Sequence, residues 1–92
     1  MGHINGKIAL ITGASSGIGE KTVRALYEAG VRVICSARRA KRLEKLVVEL
    51  GEGAIALELD VTSERSIGTL VDRLPKEWRD IDILVNNAGH DI

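Results

Sequence analysis

The apolar positions of this chain change period repeatedly, from short runs that suit a strand to spacings that suit a helix. Residues 7–12 (KIALIT), 31–36 (VRVICS), 54–59 (AIALEL) and 81–85 (IDILV) are short, aliphatic and partly β-branched, and each is expected to be a strand. Between the first two, Ile18, Thr22, Ala25, Leu26 and Ala29 recur at helical spacing, and Gly30 stands where a helix commonly ends. Leu43, Leu46, Val47 and Leu50 form a second helical stripe closed by Gly51. Ile67, Leu70, Val71 and Leu74 form a third, with Ser63 as its N-cap, and Trp78 four residues past Leu74 extends the same stripe. Pro75 is expected to shorten or kink that third helix.

The order is β-α-β-α-β-α-β, the pattern of an α/β fold with a parallel sheet and right-handed crossovers. If the sheet is doubly wound, its strand order is 3-2-1-4, with the first two helices on one face and the third on the other. Ligands of such sheets sit beyond the carboxyl ends of the strands where the winding reverses, here between the first and fourth strands.

Size and composition narrow the picture. Ninety-two residues make one domain at most, and the only aromatic residues are Tyr27 and Trp78, so the core must be aliphatic. Thirteen basic residues balance thirteen acidic ones, which leaves no argument for nucleic acid or an anionic membrane as partner. A single cysteine, Cys35, permits no intrachain disulfide and fits a cytoplasmic location. It is expected to be a small core residue rather than a reactive thiol. No apolar run approaches the roughly 20 residues that span a bilayer. The first six residues lack the pattern of a secretory signal. His3 and His90 are isolated, so no metal site is expected.

The chemistry concentrates in two segments. Residues 12–19 (TGASSGIG) join the first strand to the first helix. Gly13 lets the chain turn off the strand, Gly17 leaves the backbone open to a pyrophosphate, and Gly19 lets the helix pack close to the sheet. The first helical turn, from Gly17 and Ile18 onward, offers free N–H groups and a positive dipole end, to which Ser15 and Ser16 can add hydroxyl donors. A plain turn would also use glycines, but this one lies at the start of a β-α-β unit, as phosphate binding requires. Residues 86–89 (NNAG) follow the fourth strand.

TGASSGIG and NNAG together, some 70 residues apart, resemble the short-chain dehydrogenase/reductase family, and the likeness runs through the whole chain. The resemblance implies a Rossmann-like fold, a nicotinamide cofactor and hydride transfer between an alcohol and a carbonyl. It makes residues 1–92 the N-terminal, dinucleotide-binding portion of one such domain. It also places Asp60 and Val61, after the third strand, beside the adenine, and Asn87, Ala88 and Gly89 along the nicotinamide side of the cofactor.

The cofactor is expected to be NADP(H). An acid that would bind the ribose 2′-hydroxyl is expected after the second strand, but the chain reads Ser36, Ala37, Arg38, Arg39 there, with Ala37 in the family's acid position. Guanidinium groups fork onto phosphate oxygens, so Arg38 and Arg39 suit a 2′-phosphate. Arg38, Arg39, Lys41 and Arg42 also crowd the N-terminal end of the second helix, where cations oppose the helix dipole and an anion would offset them.

The family's catalytic Ser and Tyr-x-x-x-Lys are not found. The only tyrosine, Tyr27, is followed four residues later by Val31. The chain alone is therefore expected to have no ordinary dehydrogenase activity. The fourth strand is expected to be an exposed apolar edge that favours self-association through residues 81–86. The alternative is a self-associating half-fold with a structural role and no cofactor. S-adenosylmethionine binding is disfavoured by the arginine pair and by NNAG.

Overall fold

A computed structural model describes residues 4–87. Four parallel strands form one sheet: β1 (Ile8–Thr12), β2 (Arg32–Ala37), β3 (Ala54–Glu58) and β4 (Ile83–Asn86). Their order is β3-β2-β1-β4, the doubly wound arrangement expected from the sequence. Helices α1 (Gly17–Glu28) and α2 (Lys41–Leu50) make the first two crossovers. The third is made by α3 (Glu64–Gly68), α4 (Leu70–Arg73) and a 3₁₀ turn, Lys76–Trp78.

Alternation along the strands divides the core in two. Ala9, Ile11, Val33, Cys35 and Ala37 pack against Val23 of α1 and Leu43 and Leu46 of α2. Ile8, Leu10 and Ile34 point the other way, onto Leu74 and Trp78. Thus the first two helices cover one face and the third crossover covers the other. All five β1 residues are buried, because β1 is flanked by β2 and β4 and covered on both faces. Tyr27 closes one end of α2: its hydroxyl donates to the Leu50 carbonyl at 2.7 Å, with the Glu52 carbonyl as a second acceptor.

The third crossover departs from the expected single helix. Ser63 is the N-cap, with its Oγ accepting from Ser66 N at 3.2 Å. The helix then breaks at Thr69, whose backbone (φ −98°, ψ 0°) ends α3 and begins α4. Gly68 is a poor helix former, and Thr69 Oγ1 turns back onto the Arg65 carbonyl at 3.0 Å. Ile67 and Val71 consequently remain 50% and 48% exposed. Pro75 ends the segment by forcing Leu74 out of helical geometry, to ψ 142°. Trp78 is buried beside Leu74 as anticipated, but from a separate 3₁₀ turn, with the Arg32 guanidinium 4.1 Å from its ring centroid.

The start of β4 is held by Asp82. Its Oδ2 accepts from Ile8 N at 2.9 Å and its N–H donates to the Ile8 carbonyl at 2.8 Å. These bonds occupy the backbone before Ile83, so the strand begins two residues later than its apolar run suggests.

Candidate cofactor site

The candidate site lies at the carboxyl ends of β1, β2 and β4. Gly13 leaves β1 with φ 62°, a left-handed conformation that a side chain would strain. Ala14 N then donates to the Ser36 carbonyl at 3.0 Å, which ties the turn to β2. Ser16 caps α1: its Oγ accepts from Gly19 N at 3.0 Å and donates to the Gly13 carbonyl at 2.9 Å. The Ser16 hydroxyl proton is thus used within the turn, while Ser15 is exposed. The N–H groups of Gly17 and Ile18 lie in the first helical turn, where backbone donors have no intrahelical acceptor.

The glycines differ in what demands them. A Cβ on Gly19 would sit 2.1 Å from the Gly13 carbonyl oxygen and 2.9 Å from Ala14 Cα, so the fold itself excludes a side chain there. A Cβ on Gly17 would meet nothing within 4 Å, and its φ is not positive. Neither strain nor packing explains glycine at 17.

Beside this turn lies an open groove of about 370 Å³, lined by Ser15, Ser16, Arg38, Arg39 and Arg42. Arg38 and Arg39 are exposed, directly after β2. Among the described residues, no carboxylate lies within 4 Å of any of these three guanidiniums; the ion pairs found both belong to Arg24. Ser36 does not face the groove. It is fully buried and its Oγ donates to the Ile11 carbonyl at 2.9 Å, so it bears on the site by holding β1 and β2 together.

Asp60 stands after β3. Its Oδ1 accepts from Thr62 Oγ1 at 2.6 Å and Thr62 N at 2.9 Å. These bonds hold its carboxyl below the usual carboxylate range, and the Arg38 charge acts in the same direction. Val61, beside it, is 37% exposed.

Thr12 joins the two sequence motifs, a role that reading the sequence missed. Parallel register puts Thr12 opposite Asn86. Its Oγ1 donates to Asn86 Oδ1 at 3.0 Å and accepts from Asn87 N at 2.9 Å. Asn87 Nδ2 is buried with no acceptor among the described residues. Ala88 and Gly89 lie outside the described residues. Arg42, which the sequence marks as one of the cations crowding the start of the second helix, lines the groove as well. Cys35 is fully buried, and burial pushes its thiol up to about 12, which makes it unreactive.

A glycine turn, an open helix N-terminus and a basic groove at the switch point of a doubly wound sheet define a nucleotide-binding α/β protein. Comparison with known proteins narrows the class. Residues 7–92 match the family described as short chain dehydrogenase. An NADP-dependent 3-hydroxy acid dehydrogenase of Salmonella typhi is 48% identical over 82 residues, which are 89% of this chain and 33% of that protein. A probable NADP-dependent dehydrogenase of Dichelobacter nodosus is 46% identical over 89% of this chain and 77% of its own length. The closed form of a serine dehydrogenase complexed with NADP+ superposes with a TM-score of 0.82 at 44% identity, covering 87% of this chain and 32% of that one. The chain belongs to the short-chain dehydrogenase family. It spans about a third of the length of the Salmonella enzyme and of other curated relatives it matches, among them a serine 3-dehydrogenase of Agrobacterium fabrum.

Proposed function

We infer that this chain is the NADP(H)-binding portion of a short-chain dehydrogenase-type oxidoreductase. The observation that carries the reading is the open space above Gly17, at the N-terminus of α1 and next to the arginine groove. The fold does not need that glycine, and a pyrophosphate does. Bound NADPH would supply a hydride for reduction of a carbonyl.

The chain's own residues bind and orient. The Gly17 and Ile18 N–H groups face the pyrophosphate, with Ser15 adding a hydroxyl. Arg38 and Arg39 hold the 2′-phosphate, since no acid stands after β2 to take a 2′-hydroxyl. Asp60 and Val61 border the adenine. Asp60 Oδ1 is taken by Thr62, so its contribution to an adenine amino group falls to Oδ2. The Thr12 bridge holds Asn87 toward the nicotinamide side. Gly13, Ser16, Gly19 and Ser36 shape this cradle from within. Tyr27 takes no part, because its hydroxyl is spent on the Leu50 and Glu52 carbonyls.

The names of two relatives and of the superposed complex, all NADP-dependent or NADP-bound, support this reading. Titration with NADPH and, separately, NADH while following thermal unfolding tests it. Ligand at 100 times its dissociation constant adds about 2.7 kcal/mol of stability. NADPH is expected to stabilise far more than NADH at equal concentration. Equal stabilisation removes the 2′-phosphate assignment, and none by either removes the cofactor reading.

The proposal includes self-association. Among the described residues β4 pairs only with β1, and Leu84 on it is 65% exposed. Sedimentation is expected to show a species heavier than the monomer that Leu84→Lys dissociates. A monomer at all concentrations overturns this part alone.

A further inference from the structure

Arg42 lies outside the loop that carries Arg38 and Arg39, yet it lines the same groove. It belongs to the first turn of α2, and its N–H donates to the Arg39 carbonyl at 3.2 Å. Arg39 and Arg42 line one groove, where their like charges repel. The helix relieves this only in part. Its N-cap, Ala40, makes no side-chain bond, and Lys41 and Arg42 oppose the dipole from a first turn in which Glu44 alone favours it.

The carboxylates on Arg42's other flank are already held. A second groove, of about 230 Å³, is lined by Glu20, Arg24, Arg42, Lys45, Leu46 and Glu49. Within it Arg24 binds Glu49 at 2.8 Å and Glu20 at 3.3 Å. Arg42 has no carboxylate within 4 Å among the described residues. A ribose phosphate monoester carries about −1.5 to −2 charges at neutral pH and three acceptor oxygens, as a phosphoserine does. A loop-borne pair of guanidiniums cannot surround such a group as a third one from a neighbouring helix can.

We propose that Arg42 is the third ligand of the cofactor's 2′-phosphate and a determinant of NADP(H) over NAD(H) preference, acting with Arg38 and Arg39 in the groove that all three line. This rests on the cofactor reading above. Because Arg42 stands on a helix, it fixes where the phosphate sits, while the loop arginines close onto it.

The test is calorimetric titration of this chain with adenosine 2′,5′-bisphosphate and with 5′-AMP, neither of which needs turnover. Arg42→Gln is expected to weaken the bisphosphate roughly ten- to a hundredfold, the range for a charge-assisted bond, and to leave 5′-AMP unchanged. Arg42→Lys, which keeps charge and loses the fork, should fall between. The ligand-free melting temperature of Arg42→Gln should equal or exceed that of the parent, since a cation leaves a helix N-terminus. Bisphosphate binding unchanged in Arg42→Gln, while Arg38→Ala weakens it, overturns the role of Arg42 and leaves the cofactor reading intact. A lower ligand-free melting temperature together with equal losses for both ligands assigns Arg42 to the fold and also overturns the proposal. A parent that binds both ligands alike overturns the 2′-phosphate site as a whole.

Discussion

Replacing Gly17 and Gly19 separately by alanine distinguishes a glycine required by the protein from one required by its ligand. At position 19 the new methyl would stand 2.1 Å from the Gly13 carbonyl oxygen and 2.9 Å from Ala14 Cα, both backbone atoms. The turn or the helix must move, and overpacking of this kind costs roughly 1–3 kcal/mol. A domain this small has few kcal/mol to lose, and each one shifts Tm by about 4–8 °C. Gly19→Ala is therefore expected to melt on the order of 5–20 °C lower. At position 17 the methyl meets nothing within 4 Å, and φ is not positive. There the alanine reduces only the freedom of the unfolded chain, worth up to about 0.4–1 kcal/mol of stabilisation. Gly17→Ala should melt at or above the parent temperature. The same methyl would stand between the helix N–H groups and a pyrophosphate. Losing one charge-assisted bond there weakens NADPH roughly 10- to 150-fold. Thermal melts with and without NADPH read both quantities. If Gly17→Ala binds NADPH as tightly as the parent, or loses as much stability as Gly19→Ala, the argument from the open space fails.

Other expectations concern side chains. Arg38→Ala and Arg39→Ala should each weaken NADPH by about 1.5–3 kcal/mol and leave NADH affinity nearly unchanged, as competitive titration would show. The Cys35 thiol, raised to about 12 in the fold from an ordinary value of 9.0, stays protonated while the unfolded chain's thiol ionises. Stability should therefore fall as pH rises between those values, by at most about 1.4 kcal/mol per pH unit, and Cys35→Ala should lack that share of the alkaline slope in denaturant titrations. Folded protein at pH 8 should not react with a thiol reagent until it is unfolded. Trp78→Ala opens a cavity under β1 and β2 and removes the Arg32 contact; a loss of roughly 3–5 kcal/mol should leave little folded chain by circular dichroism.

What was legible in the sequence is what depends on local pattern. The four apolar runs differ in length and branching from the helical stripes, so the parallel sheet could be read directly, while its double winding was an expectation that the strand order settles. The glycine turn was readable because each glycine stands at a fixed offset from the end of β1. The third crossover was less legible. Ile67, Leu70, Val71 and Leu74 keep helical spacing, but Thr69 bonds back onto Arg65 and Pro75 displaces Leu74, and periodicity reports neither. Ser36 stands two residues before Arg38 along the chain, yet its hydroxyl is drawn to the Ile11 carbonyl, a contact across the sheet. Thr12 has the opposite history. A threonine ending a strand is ordinary, and only the register with Asn86 shows what its hydroxyl joins.

The bond from Ala14 N to the Ser36 carbonyl has a consequence for how such a chain can change over generations. It ties the glycine turn to the strand that delivers Arg38 and Arg39, backbone to backbone, whatever side chains those positions carry. Exposed substitutions away from caps and core usually alter stability by no more than about 0.5 kcal/mol. With the proposed roles of these arginines, mutations at 38, 39 and 42 would sample different nucleotides while the turn keeps its shape. Preference for one dinucleotide would then be an evolvable trait, separable from the inheritance of the fold.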